Sequence, residues 1–249
     1  MLPVLEEILR QEGVETSLSV VPGEPTGHCL GLVQADERTL CANIGAAAHY
    51  SLDHLWSEEN KTRLAQVTVV LVEGFFLSHS PGVVVEIAKF CQANNILFVF
   101  NLCGEYVCQA QDYCSNLISL LPYINILFGN RNEYDVFMQT VSHLSHLSLH
   151  DDVKQKMENL ISGATAAASS SEEKDGDQTD DCDIELEQDL QLAIVTDSNK
   201  PVHCFSLANT AYSCQVAVPP LSPELIKAGL TAVIQLVFLE IRKPGKFHN

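Results

Sequence analysis

Short apolar runs at 67–72, 96–100 and 124–128 each break off in a polar or glycine residue. The endings are Glu73-Gly74, Asn101-Leu102-Cys103 and Gly129-Asn130. Helix-compatible stretches of about one to two dozen residues separate these runs, and 192–195 resumes the pattern with Thr196-Asp197-Ser198 behind it. Continuous apolar runs alternating with helical stretches are what a parallel sheet covered by helices requires. The fold class is therefore α/β, and ligands of such sheets bind outside the carboxyl ends of the strands.

The rest of the chain can be placed around those units. Residues 4–12 form an amphipathic helix, with Val4, Leu5, Ile8 and Leu9 on one face. No strand precedes it, so the chain enters as if in the middle of a domain. A strand is expected at 16–21, and strands at 28–33 and 39–42 face each other across the polar turn 34–38 as a hairpin. Helices are expected at 53–64, from Ser80-Pro81 to about 94, at 109–121, 132–141 and 151–161. Runs at 202–207 and 212–218 suit an antiparallel pair at one sheet edge. A last helix runs from Ser222-Pro223 to Arg242-Lys243. The Ala/Ser-rich and acidic stretch 163–189 cannot bury enough apolar surface to offset its ordering entropy and is expected as a disordered loop inside a single, partial domain, 1–249.

Charge narrows the partners. The formal charge is −18, and nine of those charges lie between Glu172 and Asp189, where ten acids meet one lysine. Such a balance argues against nucleic acid and anionic membrane as partners. Nine cysteines, an odd number with no CxxC pair, do not read as a disulfide framework. The opening residues lack the basic and apolar regions of a signal peptide, and no run approaches the ~20 apolar residues of a membrane span. A soluble intracellular protein is expected, cytoplasmic or also nuclear.

Asn130 and Glu133, three apart behind the 124–128 run, can face the same way in a first helical turn. An amide and a carboxylate there suit Mg²⁺ held through water near phosphates. The same two residues would equally serve as a cap and a favourable charge at a helix start. His143, His146 and His150 have a spacing that could bind metal on a helix, but they read better as an exposed helix end. Cys103, Cys108 and Cys114 lack zinc spacing and read as packing residues. No GxxxxGK[ST], GxSxG or HExxH motif occurs.

Taken in order, Glu24-Pro25-Thr26-Gly27, Ala42-Asn43, Glu73-Gly74-Phe75-Phe76-Leu77, Phe100-Asn101-Leu102, Leu121-Pro122-Tyr123, Ile126-Leu127-Phe128-Gly129-Asn130 and Glu133 resemble the ribokinase-like (PfkB) carbohydrate kinases, in their adenosine kinase branch. The resemblance runs over roughly 4–218 and resumes near Lys227-Ala228-Gly229. It implies a three-layer α/β sheet with flanking helices, here incomplete, and transfer of a phosphoryl group from ATP to adenosine, giving AMP and ADP in purine salvage, with Mg²⁺ as cofactor. It places Asn130 and Glu133 at Mg²⁺ and phosphate, Thr196 in the nucleotide turn, Asn101 beneath the substrate and Tyr106 beside the nucleoside base. Adenosine and ATP are thus the implied partners, for a monomer where the chain is stable by itself.

The departures also carry information. The family's amino-terminal third is missing, and its DTxGAGD segment, with the catalytic Asp, has no counterpart. At that place stands Val218-Pro219-Pro220-Leu221-Ser222-Pro223-Glu224, without glycine and with prolines that remove N–H donors. Thr196-Asp197-Ser198 lacks the family's glycine, and Arg131 stands where the family has an acid. The catalytic base is therefore expected to be absent and turnover impaired. The alternative is an inactive product that only binds a nucleotide or a partner. A sugar kinase of the same superfamily is a weaker reading.

Overall fold

A computed structural model describes residues 2–34, 37–143, 155–156, 158–160, 191–197, 200–207 and 213–216. The expected loop 163–189, the segment Val218 to Glu224, the last helix, His146 and His150 lie outside the described residues.

The chain opens with helix α1 (Leu2–Gln11), as its apolar spacing predicts. Residues 16–21 do not form the expected strand. A strand needs a neighbour for its backbone groups, and here side chains of a later helix engage the segment instead. The Arg63 guanidinium donates to the Thr16 carbonyl at 3.3 Å, and the Ser17 hydroxyl donates to Asn60 Oδ1. The hairpin forms as read, with β1 (His28–Gln34) antiparallel to β2 (Glu37–Asn43). It is a two-stranded ribbon by itself, and Leu30, Leu32, Val33 and Leu40 stand exposed on it.

The single helix expected over 53–64 is two, α2 (Leu52–Leu55) and α3 (Glu58–Leu64). The break has a local cause. Ser51 and Ser57 each accept a backbone N–H with the side-chain oxygen, from His54 and Asn60, so each starts a helix of its own. After β3 (Val69–Glu73) comes an unexpected short helix, α4 (Gly74–His79), and then α5 (Pro81–Ala93). Pro81 opens α5 as expected, but the Ser80 side chain makes no capping bond. Its carbonyl accepts from the N–H groups of Val83 and Val84 instead. Strand β4 (Leu97–Asn101) leads to α6 (Glu105–Cys108) and α7 (Gln111–Leu120), where one helix over 109–121 was expected. Strand β5 (Ile126–Asn130), helix α8 (Arg131–Ser142) and strands β6 (Leu192–Thr196), β7 (Val202–Ser206) and β8 (Ser213–Val216) follow.

The main sheet has the order β3-β4-β5-β6-β7-β8. Neighbours from β3 to β6 pair in parallel, while β7 and β8 pair antiparallel at one edge, as the sequence suggests. Register sorts the side chains. Val72, Phe98, Phe100, Leu127, Ala193, Val195 and Phe205 share one face and merge with Leu77, Val84, Leu117 and Phe137 from α4, α5, α7 and α8. The opposite face carries Val69, Val99, Ile126, Phe128, Ile194 and Cys204. Burying these rows removes several large apolar side chains from water, each worth about 1.5–3 kcal/mol before entropy is counted.

Candidate functional site

The second face decides what lies at the carboxyl ends of the parallel strands. In parallel pairing, partners in register put their side chains on the same side, and so do residues two apart on one strand. Glu73 pairs with Asn101, Asn101 with Phe128, and Asn130, two residues on from Phe128, pairs with Thr196. The row Glu73, Asn101, Asn130 and Thr196 therefore crosses four strand ends on one side of the sheet. The structure thus brings together three of the residues read from sequence and adds Glu73, which was not assigned.

At β5 the handover to α8 is a capping box. Asn130 Oδ1 accepts from Glu133 N at 2.8 Å, and Glu133 Oε2 accepts from Asn130 N at 2.8 Å. Of the two readings of this pair, the cap is the one made in the structure. One oxygen of Glu133 and the Asn130 side-chain nitrogen are not used in it. Glu133 is only 8% exposed, and desolvation raises its carboxyl above the usual range. The Asn130 N–H opposes that shift, and the charges of Glu105 and Glu73 add to it. A cation at this place would reverse the penalty. Gly129 allows α8 to come close, because a Cβ there would stand 2.7 Å from Leu102 Cδ1 and 3.0 Å from the Tyr134 ring. Thr196 Oγ1 donates to the Gly129 carbonyl at 3.5 Å and is half-buried.

The β3–β4 end is built differently. Asn101 Nδ2 donates to Glu73 Oε2 at 3.0 Å, and the Cys103 thiol donates to the same oxygen. The Gly74 N–H in turn donates to Cys103 Sγ at 3.0 Å. Cys103 adopts φ 71°, unusual for a residue with a side chain. Burial, followed by the bond to Glu73, pushes its thiol up to about 12, so it stays protonated. At Gly74 a Cβ would run into the Tyr113 hydroxyl and into the carbonyls of Asn101 and Leu102 at 2.7 Å.

Tyr106 lies on α6, which packs against α4 and α8. It is 70% exposed and stacks on Phe75 of α4 with ring centres 6.0 Å apart and planes at 28°. An exposed aromatic pair beside a polar strand-end row offers a flat surface for another ring. Phe75 was legible only as part of a longer segment. Cys108 and Cys114 are fully buried, as packing residues should be, and His143 is an exposed helix end. His203 is held below its usual range by burial and then by the Arg131 charge, with Asp197 opposing.

Among the described residues no group of three or more His, Cys, Asp or Glu could hold a metal ion directly. The donor set fits instead a water-held Mg²⁺ shared between Glu133 and a ligand's phosphates. Among the same residues, no helix is long and apolar enough to cross a membrane.

Comparison with known proteins places these features in a family setting. Residues 4–168 match the model of the pfkB family of carbohydrate kinases. Adenosine kinase 1 of Arabidopsis thaliana is 33% identical over 135 residues, which is 53% of this chain and 36% of that protein. Adenosine kinase of Dictyostelium discoideum is 30% identical over 131 residues, 52% of this chain and 38% of that protein. The matches thus span well under half the length of these relatives. Among solved structures, Anopheles gambiae adenosine kinase in complex with P1,P4-di(adenosine-5) tetraphosphate superposes with a TM-score of 0.67 at 26% identity, over 90% of this chain and 57% of that one. A putative ribokinase II from E. coli shares the fold, with a TM-score of 0.60 at 17% identity over 88% of this chain and 60% of that one.

Proposed function

Because the chain belongs to the pfkB family of carbohydrate kinases, we propose that it carries part of an adenosine kinase-type site. That site moves the γ-phosphoryl group of ATP to the 5′-hydroxyl of adenosine, giving AMP and ADP in purine salvage, in the cytoplasm or nucleus. One observation carries this reading. The row Asn101, Asn130 and Thr196 lies at the carboxyl ends of adjacent parallel strands, beside Glu133 and the exposed Tyr106–Phe75 stack.

In this reading Tyr106 and Phe75 offer their ring faces to the adenine. Asn101 accepts a hydrogen bond from the substrate, and Asn130 and Thr196 orient the phosphates. Glu133 would hold Mg²⁺ through water, and the ion would neutralise charge on the transferring phosphoryl group. The buried flank of Glu133 keeps bulk water from its carboxylate. Positioning of this kind lowers the barrier by holding reactants in register.

In 218–224 the acid Glu224 does not match the family's catalytic Asp by pattern, and loss of general base catalysis alone is typically worth ~10² to 10⁴-fold. Turnover is therefore proposed to be impaired. A second reading, binding without turnover, is favoured by Pro219, Pro220 and Pro223 in that segment. Purified protein with ATP, Mg²⁺ and adenosine decides between them. Slow AMP formation above a buffer blank supports the kinase reading. Calorimetric binding of ATP without any AMP supports the second, and neither binding nor turnover sinks both.

A further inference from the structure

The family resemblance gives Glu73 no role, yet Glu73 sits in the row of the residues to which it does give one. Its carboxylate can only accept hydrogen bonds, and one oxygen takes both the Asn101 amide and the Cys103 thiol. The Gly74 N–H on Cys103 Sγ leaves the thiol proton free to point at Glu73. This arrangement fixes the Asn101 amide with its nitrogen turned toward Glu73. Among the described residues, these bonds leave over Asn101 Oδ1 and the second oxygen of Glu73 at the β3–β4 end, and both are acceptors. Glu105 and Glu133 lie near enough for their charges to bear on one another.

Acceptors without a donor select for a ligand that brings hydroxyls, and they oppose one that brings only anionic oxygens. We propose that Glu73 is a specificity-determining residue of this site, one that admits an uncharged nucleoside at the β3–β4 end and turns away the same nucleoside once it bears a phosphate. The inference rests on the kinase-type reading and deepens it, because discrimination of this kind would favour release of the phosphorylated product. Phosphates would be confined to the β5–β6 side, where the Asn130 amide nitrogen can donate.

The test is calorimetric binding of adenosine and of AMP to the full chain and to Glu73→Gln, which keeps an acceptor for Asn101 and removes the charge. The wild-type chain should prefer adenosine to AMP, and the variant should narrow that preference by about 3- to 10-fold, mainly through tighter AMP. Raising salt from about 0.02 M to about 0.5 M should narrow the wild-type preference as well, with little effect in the variant. The salt series on the wild-type chain decides the matter if the variant does not melt cooperatively. A preference that neither the substitution nor salt moves overturns the role of Glu73 and leaves the kinase reading standing. Failure of the wild-type chain to bind adenosine, AMP or ATP overturns both.

Discussion

At the end of β5, Asn130 and Glu133 satisfy each other's backbone, so the handover to α8 closes on itself. At the end of β3, Glu73 occupies the equivalent place before α4 but makes no side-chain cap, and its carboxylate reaches across to β4 instead. Two acids at two strand-to-helix handovers of one sheet thus hold different positions, Glu73 at the cap of α4 and Glu133 in the first turn of α8. One is buried and structural in its first bonds, with a single oxygen left for a ligand. The other is exposed and governs how a neighbouring amide is turned. Position at such a handover therefore does not fix an acid's role. The role follows from which backbone donors are left open around it.

The comparison breaks most visibly at the two glycines. Gly74→Val and Gly129→Val should each destabilise by about 3 kcal/mol, because a branched side chain must displace packed backbone or the Leu102 and Tyr134 side chains. Denaturant unfolding checks this, and a loss under about 1 kcal/mol would show that the close approaches are not required. Next in size, Glu133→Ala should cost about 1–2 kcal/mol through the lost capping bond, while Glu133→Gln should stay within about 0.5 kcal/mol of wild type. Gln keeps the acceptor for Asn130 and no longer carries a desolvated charge. Equal losses in the two variants would place the charge itself in the fold.

Smaller effects sharpen the ligand side. Phe75→Ala and Tyr106→Ala change half- or largely exposed rings, so melting should barely move, yet adenosine binding should weaken about 3- to 10-fold. Unchanged affinity would remove the stack from the site. The smallest effect concerns pH. His203 has a folded pKa below its unfolded value, so its stability contribution is fully present above the unfolded value of about 6.5 and is lost as pH falls through the lower folded one. Replacing His203 with Gln should flatten the stability profile below about pH 6.5, and a profile identical to wild type would contradict this.

The sheet was legible because its central strands β4, β5 and β6 are buried on both faces and read as apolar runs. Its boundaries were less so. Four strands extend one or two residues beyond the apolar runs, since Glu73, Asn101, Asn130 and Thr196 still pair in the ladder although their side chains are polar. Residues 16–21 have strand-like composition but no strand beside them among the described residues, and composition alone does not reveal a missing neighbour. Ser57 broke a helix that periodicity made continuous, because a side-chain oxygen competes with the helix for a backbone N–H. Asn130 and Glu133 could be found from spacing. Glu73 could not, since its partners Asn101 and Cys103 lie 28 and 30 residues away and meet it only through register.

Calorimetric titration of ATP with Mg²⁺ into the wild-type chain and Glu133→Gln asks directly whether the strand-end row receives a nucleotide with its cation. Binding to the wild-type chain and a loss of at least about 10-fold in the variant at unchanged melting temperature are expected. Equal affinity in the two proteins, or no binding to the wild-type chain, would contradict this.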